Sequence, residues 1–147
     1  MTRTYFKNAS KRVKILAIVP AIIIVVAVVI MLILAMRGPS VTIENRQIRI
    51  SGLYGQTIDF DEVKSVALLE KSMGEMDSGT RINGVGGFGQ TLLGYFNSRS
   101  LGETVLFVQA KTSPTIWIEC EGRRDVYISY GDSQKTRDLY ETLRTIN

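Results

Sequence analysis

Residues 15–36 read ILAIVPAIIIVVAVVIMLILAM and hold no charged, amide or hydroxyl side chain. No other stretch limits so strongly what this chain can fold into. Its 22 residues make roughly 33 Å of helix at about 1.5 Å per residue. That matches the roughly 30 Å hydrocarbon core of a bilayer, and a helix apolar on every side has no polar face for water. A cleaved signal peptide has an apolar region of about 7–15 residues and then a small-x-small site. This run is longer and ends in Ala35-Met36-Arg37-Gly38. Pro20 falls in its first third, where a helix in lipid accommodates it. The sequence therefore predicts an uncleaved transmembrane helix over 15–36, in contact with the lipid bilayer. Ala17-x-x-x-Ala21 is a small-x-x-x-small pattern that lets two helices pack closely, although alanine is common in such spans.

The charge is unevenly spread. Of 18 Lys and Arg, five (Arg3, Lys7, Lys11, Arg12, Lys14) stand in residues 1–14, which contain no acid. Residues 37–147 then carry 13 bases against 14 acids, so the basic character belongs to the tail. A nucleic-acid-binding domain needs a basic face of its own, and this excludes nucleic acid as the expected partner. A polybasic segment beside a span suits an anionic leaflet. By the positive-inside rule it also predicts a cytoplasmic N-terminus, a single-pass cell-membrane location and the domain outside. Cys120 is the lone cysteine and forms no intrachain disulfide. There is no His, so the usual general base near neutral pH and the commonest metal ligand are both missing.

The expected organisation is a basic tail (1–14), the span (15–36), a linker (37–40) closed by Gly38-Pro39, and one small domain (41–147). The domain alternates with period two. Val41 and Ile43, then Ile48 and Ile50 across an Asn45-Arg46 turn, predict a hairpin with one buried face. Gly52 and Gly55 bracket a bend before Ile58 and Phe60, and 63–69 reads as a further strand. From Ser72 to Gln90 the pattern collapses into a stretch with six of the chain's 13 glycines, which reads as a long surface loop. Strands follow over 91–97, 103–110, 115–121 and 125–130. From Asp132 the spacing of Leu139, Tyr140, Leu143 and Ile146 predicts an amphipathic helix capped by Asp132 or Ser133. The expected fold class is mainly β: seven or eight short antiparallel strands in a strongly bent sheet or barrel, closed by the C-terminal helix.

Ile48-x-Ile50-Ser51-Gly52-Leu53-Tyr54-Gly55, Val63-Lys64-Ser65-Val66, Thr80-Arg81-Ile82-Asn83-Gly84, Gly94-Tyr95-Phe96 and Thr136-x3-Tyr140-x2-Leu143 together resemble a bacterial pleckstrin-homology (PH)-like family, over residues 41–146. Members commonly follow one or more membrane helices. Ile82 stands where a member usually has Thr, and no Pro lies near Met73, where one is often seen. The resemblance implies a fold and not an activity.

The motifs are weighed against plainer readings. Gly84-x-Gly86-x-x-Gly89 matches a dinucleotide fingerprint as a string, but a strand and not a helix follows it, so no cofactor is expected. In Arg81-Ile82-Asn83-Gly84 the Asn-Gly pair suits a turn, and Arg81 either anchors that turn or presents its guanidinium to an anion. Arg46 and Arg49 near the first hairpin turn are too few for a polyphosphate cradle. Arg123-Arg124 reads as a solvated hairpin tip. Asp59, Asp61 and Glu62 read as capping and solvation, and Cys120 shares a face with Ile116 and Ile118 as a core thiol. Trp117, on the opposite face, is either an exposed contact or is covered by sheet or helix. No catalytic or metal-binding set emerges. The expectation is a membrane-tethered, non-enzymatic module that binds a protein partner or another copy of itself. Its candidate contacts are Tyr54, Arg81, Asn83, Gly84, Gly86, Gly87 and Trp117. The alternative is a sensor of lipid headgroups or small anions, working through the 79–90 loop and Arg81.

Overall fold

The computed structural model describes residues 18–30, 39–86 and 90–146. The chain divides into two units, Met1–Arg37 and Gly38–Asn147. In the first unit residues 18–30 form a helix, α1, whose large apolar side chains are all exposed. Thirteen helical residues rise about 20 Å, against the roughly 30 Å of hydrocarbon to be crossed. No helix among the described residues is long and apolar enough to cross a membrane. This corrects the expected transmembrane helix, and with it the single-pass cell-membrane location and the outward-facing domain. The tail 1–14 and the flanks 15–17 and 31–36 of the expected span lie outside the described residues.

The second unit begins as a meander of β1 (Ser40–Glu44), β2 (Gln47–Ser51) and β3 (Gln56–Asp59). Ile43 faces Ile48 across the first pair, and Ile48 faces Ile58 across the second, so one face of the alternation is apolar except at Gln56, which faces Ile50. Asn45 and Arg46 both take positive φ (53° and 59°), as a two-residue hairpin turn requires, and the expected hairpin is present.

The other six strands are β4 (Val63–Leu69), β5 (Thr80–Gly86), β6 (Thr91–Ser98), β7 (Gly102–Gln109), β8 (Thr115–Cys120) and β9 (Asp125–Ile128). They form one sheet in the order β4-β8-β9-β7-β6-β5. Two departures correct the expected fold class. The sheets are separate and do not close into a barrel, and β9 runs parallel to β7, so the second sheet is mixed. The turn at Gly122 (φ 71°) folds β9 back on β8, and β9 lies between β8 and β7, in the same direction as β7. Period two tells which side of a strand is buried but not which strand lies next to it.

The main core lies between the three-stranded sheet and one face of the six-stranded one. It joins Ile48, Ile50 and Ile58 to Phe107, Ile116, Ile118, Val126 and Ile128. The C-terminal helix α3 (Ser133–Leu143) packs against β4 and β8 and adds Leu143 to that core. Asp132 caps α3 as expected, accepting from the Gln134 (2.8 Å) and Lys135 (3.4 Å) amides. A second cluster on the opposite face holds Phe96, Leu106, Val108 and Tyr127, with Met73 of a short helix, α2 (Met73–Met76), upon it. Thr104 to Val108 are consequently all buried, the mark of a central strand covered on both faces.

Candidate functional site

The glycine-rich stretch is not a loop throughout. Residues 80–86 form β5, the terminal strand of the six-stranded sheet. Gly84 lies opposite Gly94, and a Cβ on Gly84 would strike the Leu93 carbonyl oxygen. Gly94 has φ 118°, and a Cβ there would strike the Asn83 carbonyl oxygen and meet Gly84 Cα at 2.6 Å. The glycines thus let two backbones approach closely, which is why a strand carries what reads as loop composition. A bulge between Arg81 and Asn83 twists the strand at this point.

Most of the predicted contact residues gather here. Asn83 Oδ1 accepts from the Tyr54 hydroxyl at 3.3 Å. Tyr54 itself holds φ 63°, uncommon for a bulky side chain, and meets the Tyr95 ring edge-on at 6.2 Å. Arg81 is exposed, and its Nη1 donates to the Gly86 carbonyl at 3.3 Å. Gly86 ends the strand, and Gly87 lies outside the described residues, as does Gly89 of the fingerprint string. Among the described residues of the second unit, the exposed large apolar side chains are Leu53 (61%), Ile82 (55%) and Val85 (40%). Two of these are on β5 and the third adjoins Tyr54. Arg81 and Arg99 add positive charge, and neither is ion-paired among the described residues.

Trp117 is placed elsewhere. It is partly buried in the second cluster, stacked parallel to Tyr127 with ring centroids 6.4 Å apart, and its Nε1 donates to Asp125 at 2.9 Å. The other oxygen of Asp125 accepts from the Cys120 amide at 3.0 Å. Cys120 is buried, and burial pushes its thiol up to about 11, so it stays a neutral core side chain. Among the described residues no group of three or more His, Cys, Asp or Glu could hold a metal ion.

Arg123 is half-buried and not part of a solvated tip, whereas Arg124 is exposed. Arg123 donates through Nη1 to the Thr57 carbonyl (2.8 Å) and to Glu62 (2.9 Å), and through Nη2 to the Gln56 amide oxygen. It clasps the three-stranded sheet to the turn after β8. The Asp59 backbone N–H (3.0 Å) and then the Arg123 guanidinium hold the Glu62 carboxyl below its usual range. Arg124 pairs with Glu103 (2.6 Å) and lies over the Tyr95 ring at 5.3 Å. Only adjacency in space reveals these partners, because they stand 21 to 67 positions away in sequence.

No protein-family model, curated protein or solved structure matches this chain, and so nothing in those comparisons bears on the PH-like resemblance.

Proposed function

We propose that residues 38–147 form a non-enzymatic interaction module, and that β5 is the edge on which it receives an extended segment of a protein partner. The observation that carries this reading is the exposure of Ile82 and Val85 on a terminal strand. An edge strand offers unpaired backbone N–H and C=O groups, and natural edges bearing apolar side chains are usually covered. Strand addition draws affinity from those backbone groups and specificity from alternate side chains. Arg81 and Arg99 favour acidic residues in the added segment. The sequence has no His, and the buried thiol is neutral, which supports a non-enzymatic role.

The test compares crosslinked partners of the full-length protein with those of Ile82→Asp and Val85→Asp variants. Both positions are exposed, so the fold should be kept. A partner recovered with the parent and lost from both variants is the expected result, and an unchanged partner set at unchanged yield would refute the reading. A second reading, a sensor of small anions, rests on Arg81, whose guanidinium makes a single 3.3 Å bond among the described residues. It predicts that Arg81→Ala abolishes anion binding while the two Asp variants leave it intact.

A further inference from the structure

A cleft of about 680 Å³ is lined by Gln56 of the three-stranded sheet and by Tyr95, Glu103, Val105, Arg123 and Arg124 of the other sheet and its turn. Its size falls within the roughly 300–1,000 Å³ typical of small-molecule sites. The two arginines differ. Arg123 is occupied by Thr57, Glu62 and Gln56, whereas Arg124 gives Nε and Nη2 to Glu103 and makes no hydrogen bond through Nη1 among the described residues. The Gln56 amide is fixed in orientation, because turning it over would set its nitrogen against Arg123 Nη2. That nitrogen is buried and has no acceptor among the described residues. Each guanidinium has one carboxylate partner, Glu62 for Arg123 and Glu103 for Arg124, so the donor left over is Nη1 of Arg124, on the side chain that lies over the Tyr95 ring.

We infer that this cleft binds a small ligand with an oxyanion head, a carboxylate or a phosphate, on a flat or apolar body. The head takes the free edge of Arg124 and is the acceptor that the Gln56 amide lacks. The body packs against Tyr95 and Val105. Charge-assisted bonds to a guanidinium fork supply the selectivity for the anion. The site is separate from the β5 edge and does not depend on the reading above.

The test is a titration of the full-length ¹⁵N-labelled protein with benzoate, phenyl phosphate and neutral benzyl alcohol, to about 10 mM so that millimolar affinities register. Saturable shifts at Tyr95, Glu103 and Arg124 with one or both anions are expected, and the tighter anion identifies the head group. Arg124→Gln should weaken binding about tenfold or more, and Glu103→Gln, which releases the guanidinium, should tighten it. Silence with both anions, equal binding of benzyl alcohol, or undiminished binding by Arg124→Gln would overturn the inference. If Arg124→Gln does not fold, Glu103→Gln decides: tighter binding supports the site, and unchanged or weaker binding refutes it.

Discussion

The two edges of the six-stranded sheet are treated in opposite ways. At one end β4 lies against α3: Val66 and Leu68 pack on the main core beside Leu139 and Tyr140, and Arg137 forks onto Glu70 at 2.6 and 2.7 Å. At the other end β5 has exposed side chains at Thr80, Arg81, Ile82, Asn83 and Val85, and glycines between them. The first edge is finished by the protein's own chain. The second is held in place by close backbone contact with β6 and by Tyr54, and its Ile82 and Val85 side chains are exposed. On the function proposed above, a sheet with one edge covered and one apolar edge open associates in one direction only.

The largest expected effect comes from removing the cover of the β4 edge. Leu143→Ala empties a fully buried position between α3 and the sheet, and should cost about 2–5 kcal/mol in chemical denaturation. Ile82→Ala on the open edge should change stability by less than about 0.5 kcal/mol. Equal losses would mean that β5 is already covered. Gly94→Ala comes next: its positive φ and the facing Asn83 carbonyl make any Cβ a clash, with an expected loss of about 1–3 kcal/mol. Amide hydrogen exchange should then quicken in β5 and not in β4.

How far these edges were legible in the sequence depends on what each is made of. The β4 edge was readable, because Leu139, Tyr140 and Leu143 recur with helical spacing and Val63 to Leu69 is an apolar strand. The first hairpin, the later strands and the Asp132 cap were readable for the same reason: each is a short-range pattern. The β5 edge looked like a loop, since Gly84 serves a backbone approach to Gly94, ten residues away, and with Gly86 leaves no apolar period. The pairing of β9 with β7 and the occupied guanidinium groups of Arg123 and Arg124 depend on contacts that no local pattern encodes. The apolar run 15–36 misled in another manner: it reads as a membrane span, and no helix among the described residues is long and apolar enough to cross a membrane. Of the candidate contacts, Tyr54, Arg81, Asn83, Gly84 and Gly86 do come together, while Trp117 is engaged by Tyr127 and Asp125.

Two smaller effects use pH to sharpen the contrast. Cys120 lies opposite Val63 of β4, and its thiol is raised from 9.0 to about 11 by burial. The unfolded chain releases that proton first, so stability should be full below pH 9 and fall as pH rises from 9 through 11. A denaturant midpoint that falls less steeply over this range in Cys120→Val checks the assignment. At the acid end the Arg137 hydrogen bonds hold the Glu70 carboxyl below its usual range. The pair's contribution is therefore present above about pH 4.5 and lost as pH falls through the lower folded value. Because both groups are exposed the effect should be slight, seen as faster exchange near Glu70 in acid and absent in Glu70→Gln.

The most direct measurement places a photo-crosslinking residue in the full-length protein at Val85 on β5 or, in a second variant, at exposed Lys64 on β4, inside the cells that make it. A discrete adduct from position 85, lost when Ile82→Asp is added and absent from position 64, is the predicted result. Equal adducts from both positions, or an adduct from 64 alone, would contradict the assignment of one covered and one receptive edge.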